Sequence, residues 1–332
     1  MNRKIFPLHS KNFNFLKLKG PFNKRLDLKT MKKVLNDKNI NFLKNDLKKF
    51  NLKYRELTKE ERDNQILNHL NFLNNEIYHA GPKRKKIWEF GWGENYKNFY
   101  KNSNFNSLIP NYYKRGLKIM RFNGDYILAG ENLFEQNLGL ILLRYISEKY
   151  FKGIKNIFEF GCGPSNNIFA LAKILKNKTN FYGIDWSNES SKILKILEKR
   201  KTNLGFQRHT FHSKKINLLN KIKNFNVPAK SICFSFGGIE QLGKKNKEFL
   251  DFIYKKKFDL YIHIEAIHEN YNPNNLLDFL ALEYEKKRNY LKGYYPELIK
   301  LKNRKKIKIL KNKKIIGSHF NDGWTILVWK RV

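Results

Sequence analysis

The sequence predicts an α/β fold built on a doubly wound, mostly parallel sheet. Three observations carry this expectation. Short apolar runs alternate with helical segments from about residue 154 onward; a glycine-rich turn joins the first of these strands to the first helix; and an acid ends the second strand.

Ahead of this core, residues 1 to about 80 are dense in Lys and Asn with weak helical patterning. One helix start stands out. Thr58 followed three residues later by Glu61 makes a capping box, and Ile66, Leu67, Leu70 and Phe72 or Leu73 then recur at helical spacing. Lys83-Arg84-Lys85-Lys86, after Gly81-Pro82, reads as a solvated turn. The aromatic stretch from Ile87-Trp88 through Trp92, Tyr112-Tyr113 and Tyr126 reads as core, with a cap over a ligand cleft as the functional alternative. Glu131 to Tyr150 is an amphipathic helix leading into the core.

Within the core, strands are expected at Ile154 to Phe160, Phe181 to Ile184, Gly205 to Phe211, Ser231 to Phe236 and Leu260 to Ile264. Helices are expected at Ile168 to Leu175, Ser190 to Lys201, Lys245 to Tyr254 and, as one long helix, Leu276 to Leu301. Two last strands, Lys308 to Ile316 and Thr325 to Trp329, flank a turn at Asn321-Asp322-Gly323 and suggest an antiparallel C-terminal edge. The expected division is a helical and aromatic extension over 1–149 and a ligand-binding domain over 150–332.

The informative stretch is Glu159-Phe160-Gly161-Cys162-Gly163-Pro164-Ser165-Asn166-Asn167. A strand ends, glycines allow close backbone approach to a ligand, and a helix N-terminus offers unpaired N–H groups. Asp185 ends the second strand 22 residues past Gly163, where an acid can accept from both hydroxyls of a ribose. With these features the chain resembles the class I S-adenosylmethionine-dependent methyltransferases, whose first motif is an acid, any residue, then Gly-x-Gly-x-Gly. Ser165 stands where the third glycine would be, and the match covers roughly residues 150 to 332. A nicotinamide-type Gly-x-Gly-x-x-Gly fits less well, because position 166 is Asn. The resemblance implies a Rossmann-like domain that binds S-adenosyl-L-methionine through Glu159, Gly161, Cys162, Gly163, Asn167, Asp185 and Trp186. Glu240, in the run Glu240-Gln241-Leu242 after the fourth strand, resembles the family's acid–amide pair beside the donor methyl; an ordinary loop with a helix-capping acid is the equal alternative.

Methyl transfer to an alcohol benefits from a general base. His263-Ile264-Glu265-Ala266-Ile267-His268-Glu269 falls where the fifth strand ends, the edge at which open α/β sheets bind ligands. Strand alternation puts His263 and Glu265 on one face. Glu265 with His268 is the expected acceptor-binding and base pair, with His263 beside it; the structural alternative makes His263 a hydrogen-bonded core histidine. No metal-type spacing is present. Tyr284 to Tyr295 mixes basic and aromatic groups that could line an acceptor site or form a solvated face over core tyrosines.

The 332 residues carry a formal net charge of +38, with 41% hydrophobic and 15% aromatic residues, which excludes wholesale disorder. Lys, Asn, Ile, Phe and Tyr are enriched together along the whole chain, as A/T-rich codons would enrich them, so the charge is not a localised nucleic-acid footprint. Even so, it attracts anions. Cys162 and Cys233 lie in apolar strand-like runs and are expected as buried free thiols. Met1 to Leu16 lacks a signal-peptide run and no window reaches the ~20 apolar residues of a membrane span, so a cytoplasmic protein is expected.

Absence of an Asn-Pro-Pro-Tyr run and of a Pro-Cys nucleophile directs the expectation to a small-molecule or glycan acceptor, foremost a sugar hydroxyl. An RNA methyltransferase that clamps RNA with its basic N-terminus, and a cofactor-binding protein without turnover, are the alternatives.

Overall fold

A computed structural model describes residues 20–75, 77, 79–114, 118–220, 222 and 225–332. The stretch Met1 to Leu16 lies outside the described residues. Among those described, eleven strands form one sheet: β1 Lys24–Arg25, β2 Lys53–Glu56, β3 Ile119–Phe122, β4 Asp125–Ala129, β5 Asn156–Phe160, β6 Asn180–Asp185, β7 Thr210–Lys215, β8 Ser231–Phe236, β9 Leu260–Glu265, β10 Ile307–Ile316 and β11 Trp324–Arg331. Their order is β1-β2-β4-β3-β10-β11-β9-β8-β5-β6-β7. From β9 to β7 the pairing is parallel. From β9 through β11 to β1 it is antiparallel.

The parallel half is a Rossmann-like, doubly wound sheet. β5 and β9 are buried along their whole length, because helices cover both faces, and they read as unbroken apolar runs for that reason. Alternate side chains go to opposite layers. Ile157, Phe181, Ile232 and Ile262 pack with Leu138, Ile168 and Ile193 of the helices Phe134–Tyr150, Asn166–Ile174 and Asn188–Arg200. Phe158, Cys233, Tyr261 and Trp329 pack on the other face with Phe249 and Leu298 of the helices Asn246–Lys255 and Tyr294–Asn303. Strand order reverses at β5, between β6 and β8, and the carboxyl ends of β5 and β8 therefore open a crevice.

Four expectations are corrected. The C-terminal hairpin is not an edge: β11 pairs with β9 and β10 reaches β3, so the parallel half continues into an N-terminal antiparallel meander. Sheet and largest core both run across residue 149, since Leu26, Met31 and Leu47 share one cluster with Ile157 and Val328. The third core strand begins at Thr210 rather than Gly205; as an edge strand it is half-covered and polar, with Lys214 and Lys215 at its end. The long helix from Leu276 is two helices, Leu276–Arg288 and Tyr294–Asn303. Asn289 closes the first in the left-handed conformation, its N–H on the Glu285 and Lys286 carbonyls.

The capping box forms as expected at the helix Lys59–Asn74: Glu61 N–H donates to Thr58 Oγ1, and Thr58 N–H to Glu61 Oε2. Residues 83–86 are not a solvated turn throughout. Pro82–Arg84 is a 3-10 turn that enters the helix Lys85–Asn102, and Arg84 is buried. Cys162 and Cys233 are buried free thiols. No helix among the described residues is long and apolar enough to cross a membrane.

Candidate active site

β5 ends at Phe160, and the chain turns under the crevice through Gly161 at φ 74° and Gly163 at φ 50°. A Cβ on Gly161 would stand 2.7 Å from Gly238 Cα, so the loops after β5 and β8 meet backbone to backbone. Ser165, in the third glycine's place, is also left-handed at φ 62° and caps the helix Asn166–Ile174 without a side-chain bond. Its hydroxyl is buried and unpartnered. The conformation explains why a glycine is expected there.

Asp185 stands at the end of β6 with both oxygens on this turn. Oδ2 accepts from Gly163 N–H at 3.0 Å and Oδ1 from Ser187 N–H at 2.8 Å. Burial pushes its carboxyl up to about 6 against the pull of these bonds. Each oxygen keeps a further lone pair, and Asp185 lines the cleft. Glu159, fully buried one strand over, accepts from Asn167 Nδ2 at 2.8 Å through Oε1, while Oε2 is buried without a partner. Burial raises it to about 8. An acid with an orphaned oxygen beneath a ligand turn is matched by a cation or a hydroxyl donor.

The cleft between these loops is open to solvent and has a cavity volume of about 90 Å³. Its walls are apolar: Trp186, Ile216, Leu218, Leu219 and Leu242 on one side, Trp88, Trp92 and Tyr112 on the other. A second, more polar lobe of about 50 Å³ shares Trp92, Tyr112, Gly161, Gly163 and Gly237, and adds Cys162, Asn166, Asn167, Tyr113 and Gln136. Trp88 and Trp92 stack at 5.2 Å, and Trp92 would lie 3.1 Å from a Cβ on Gly163. The aromatic segment is thus both core and cover. Of the residues expected to hold a cofactor, Gly161, Gly163, Asp185 and Trp186 line the first lobe and Cys162 and Asn167 the second, with Glu159 directly behind Asn167.

The expected catalytic trio is not assembled. His263 is fully buried, with Nδ1 on Ser235 Oγ and Nε2 on the Tyr294 hydroxyl, each at 2.9 Å. Burial drives its pKa down to about 3, so it stays neutral with no ring nitrogen left for substrate. The reading of His263 as a catalytic group is corrected accordingly, in favour of a hydrogen-bonded core histidine. Glu265, also fully buried, accepts from Gly238 and Ile239 N–H at 3.0 and 3.3 Å and from Glu240 N–H at 3.3 Å. It caps the 3-10 turn Ile239–Lys245 and so fixes the loop after β8. His268 lies on the turn His268–Asn270 with Nδ1 3.4 Å from Glu285 Oε2. No hydrogen bond joins it to Glu265 among the described residues.

Glu240 is the half-buried acid that this loop presents. Oε1 accepts from Gln241 Nε2 at 2.9 Å, and Gln241 Oε1 accepts from Arg84 Nη1 at 3.2 Å. Burial, reinforced by the charge of Glu265, raises its carboxyl to about 8. Arg84, Trp88, Trp92, Tyr112 and the segment 216–219 were missed as site residues by sequence reasoning. The glycine pair 237–238 was the one local signal for the loop that opposes them. Among the described residues no group of three His, Cys, Asp or Glu could hold a metal.

No family model matches the chain. No curated protein matches it. Among solved structures it is similar to the small RNA methyltransferase HEN1, at 16% identity and TM-score 0.41, covering 62% of this chain and 28% of that one. A SAM-dependent methyltransferase from Aquifex aeolicus matches at 15% identity and TM-score 0.36 over 56% of this chain and 88% of that one. The cyclase SpnF matches at 10% identity and TM-score 0.45 over 77% and 97%. The chain therefore spans less than a third of the length of HEN1, and these likenesses extend no further than the fold.

Proposed function

We propose that the chain is an S-adenosylmethionine-dependent methyltransferase acting on a small-molecule or glycan hydroxyl. The observation that carries this reading is Asp185: a carboxylate tied to the glycine turn, lining a cleft with apolar walls, with lone pairs left for a ribose diol. When bound, the cofactor supplies a methyl group already activated on a sulfonium. The residues of this chain do the rest. Asp185 holds the ribose hydroxyls; Trp186, Leu218 and Leu219 enclose the adenine end in an apolar slot; Asn167, held from behind by Glu159, receives the amino-acid end. Trp88 and Trp92 exclude water over the reacting lobe.

Glu265 acts through the loop it caps rather than on substrate, and the N-terminal extension supplies the acceptor-side wall. The RNA reading rests on charge spread along the whole chain and has no particular feature of the cleft behind it.

Calorimetry of S-adenosylmethionine with the full chain and with Asp185→Ala tests the proposal. Wild-type binding that weakens by roughly tenfold or more in the variant supports it, as expected for a lost charge-assisted pair. A folded wild type that binds no S-adenosylmethionine refutes it.

A further inference from the structure

Two donors beside the cleft are unsatisfied, one on Trp88 of its wall and one on Arg84, which packs behind that ring. Trp88 Nε1 and Arg84 Nε are buried with no hydrogen-bond partner. Glu240 spends only Oε1, on Gln241. Arg84 and Trp92 sit four residues before and after Trp88 and both pack on its ring: the guanidinium lies 4.8 Å over it and the Trp92 ring stacks at 5.2 Å. With Arg84 and Trp92 packed on its ring, Trp88 offers the cleft an edge rather than a stacking platform, and its N–H lies buried beside the cleft. A buried donor left unpaired costs stability unless a ligand satisfies it.

Resting on the methyltransferase reading, we infer that the acceptor is a ring hydroxyl flanked by a carboxylate or carbonyl oxygen. That oxygen is held by Trp88 Nε1–H and the Arg84 guanidinium, and Glu240 takes the proton of the hydroxyl. In the transfer the acceptor O–H bond breaks and its proton passes to the Glu240 carboxylate. The freed oxygen pair forms the new C–O bond as the donor S–C bond breaks, leaving a neutral thioether. The chain places Glu240 through a relay: Glu265 clamps the Gly238–Glu240 backbone, Arg84 fixes Gln241, and Gln241 orients Glu240. A net charge of +38 draws an anionic acceptor in.

The groups that face Glu240 are Arg84, Tyr112 and Tyr113 from the N-terminal elements, Glu265 from β9, and Glu285, Arg288 and Tyr290 from the far wall. Burial and the carboxylates outweigh the arginines and hold Glu240 at about 8, so transfer rises with pH through that value.

The test uses the full chain saturated with S-adenosylhomocysteine for binding, and with labelled donor for transfer. D-glucuronate and salicylate carry the proposed pairing on a sugar and on an aromatic ring; D-glucose and phenol lack the anion. At least one acid probe binds roughly tenfold tighter than its neutral counterpart, and which one separates a sugar source from an aromatic source. Trp88→Phe, which keeps the ring stack, and Arg84→Lys each remove most of that preference. Glu240→Gln leaves acid-probe affinity within about threefold, lowers transfer by roughly a hundredfold or more, and abolishes its rise near pH 8.

Equal binding of acid and neutral probes, or a preference untouched by both Trp88→Phe and Arg84→Lys, overturns the acceptor assignment. A Glu240→Gln enzyme with the wild-type pH profile overturns the proton acceptor. Failure of wild type to bind S-adenosylmethionine overturns the functional reading itself, so the two failures are distinguishable.

Discussion

The amide of Gly163 donates to Asp185 Oδ2 over 3.0 Å, tying the turn after β5 to the end of β6. The bond sets where the floor of the cleft lies, because Asp185 Oδ1 is held in turn by Ser187 N–H. Asp185→Asn keeps the shape but must turn either its NH₂ toward an amide donor or its oxygen away from one. The expected outcome is a loss of S-adenosylmethionine affinity of roughly ten- to a hundredfold and of about 1–3 kcal/mol in unfolding free energy. Calorimetry and urea denaturation read the two effects. Unchanged affinity would take Asp185 out of the cofactor site.

Glu159, Glu240 and Glu265 have carboxyls raised to about 8, 8 and 7 in the folded state. In the unfolded chain they ionise near ~4.3, so between pH 6.5 and 8.5 the native state binds more protons than the unfolded one. Stability of the ligand-free protein therefore falls as pH rises through this window, by something on the order of 3 kcal/mol. Below pH 6.5 the buried neutral His263 works the other way, because its pKa is depressed to about 3. Melting temperatures across the window should fall with pH, and Glu159→Gln should flatten the slope. A flat wild-type profile would mean that these acids are ionised in the native state.

β5, β8 and β9 were legible because both their faces are buried and the pattern reduces to unbroken apolar runs. Thr58 and Glu61 were legible because a capping box is local. What escaped was set by partners far along the chain. β7 is polar because it is an edge; the meander β1–β4 consists of strands of two to five residues, the first three with basic side chains, and its β1–β2 and β2–β4 ladders join segments far apart in the chain. Glu265 was placed correctly at a strand end, but its backbone donors lie 25 to 27 residues earlier, so a capping carboxylate looked like a base. Arg84 was hidden among three other basic residues, of which it alone turns inward.

Ser165 tests the third glycine of the turn. Its φ of 62° costs an L-residue roughly 1–2 kcal/mol, and its buried hydroxyl finds no partner to offset this. Ser165→Gly is therefore expected to stabilise the protein by about 1 kcal/mol, visible as a rise of a few degrees in melting temperature. Lower stability in the variant would show that the hydroxyl is satisfied in solution.

β10 meets β3 through a single register pair, Ile316 with Phe122, so the ladder alone joins the meander weakly to the core. Arg121 makes up the difference. It is almost fully buried in β3; Nε donates to Asp322 Oδ2 at 3.0 Å and Nη2 to Asp278 Oδ1 at 2.8 Å, and Nη1 reaches the Leu277 carbonyl. Lys314 of β10 approaches Asp278 at 3.1 Å, which gives two cations for two acids. Arg121→Met leaves those acids with Lys314 alone and is expected to cost about 3–5 kcal/mol, since an orphaned buried charge is worse than a missing pair. Asp322→Asn in the same chain should recover part of the loss, a coupling that a double-mutant cycle in urea measures directly. A cost below about 1 kcal/mol, or strict additivity, would mean that the meander is held by apolar contacts, Met120 and Phe122 in one cluster with Ile316 and Trp324, and not by this network.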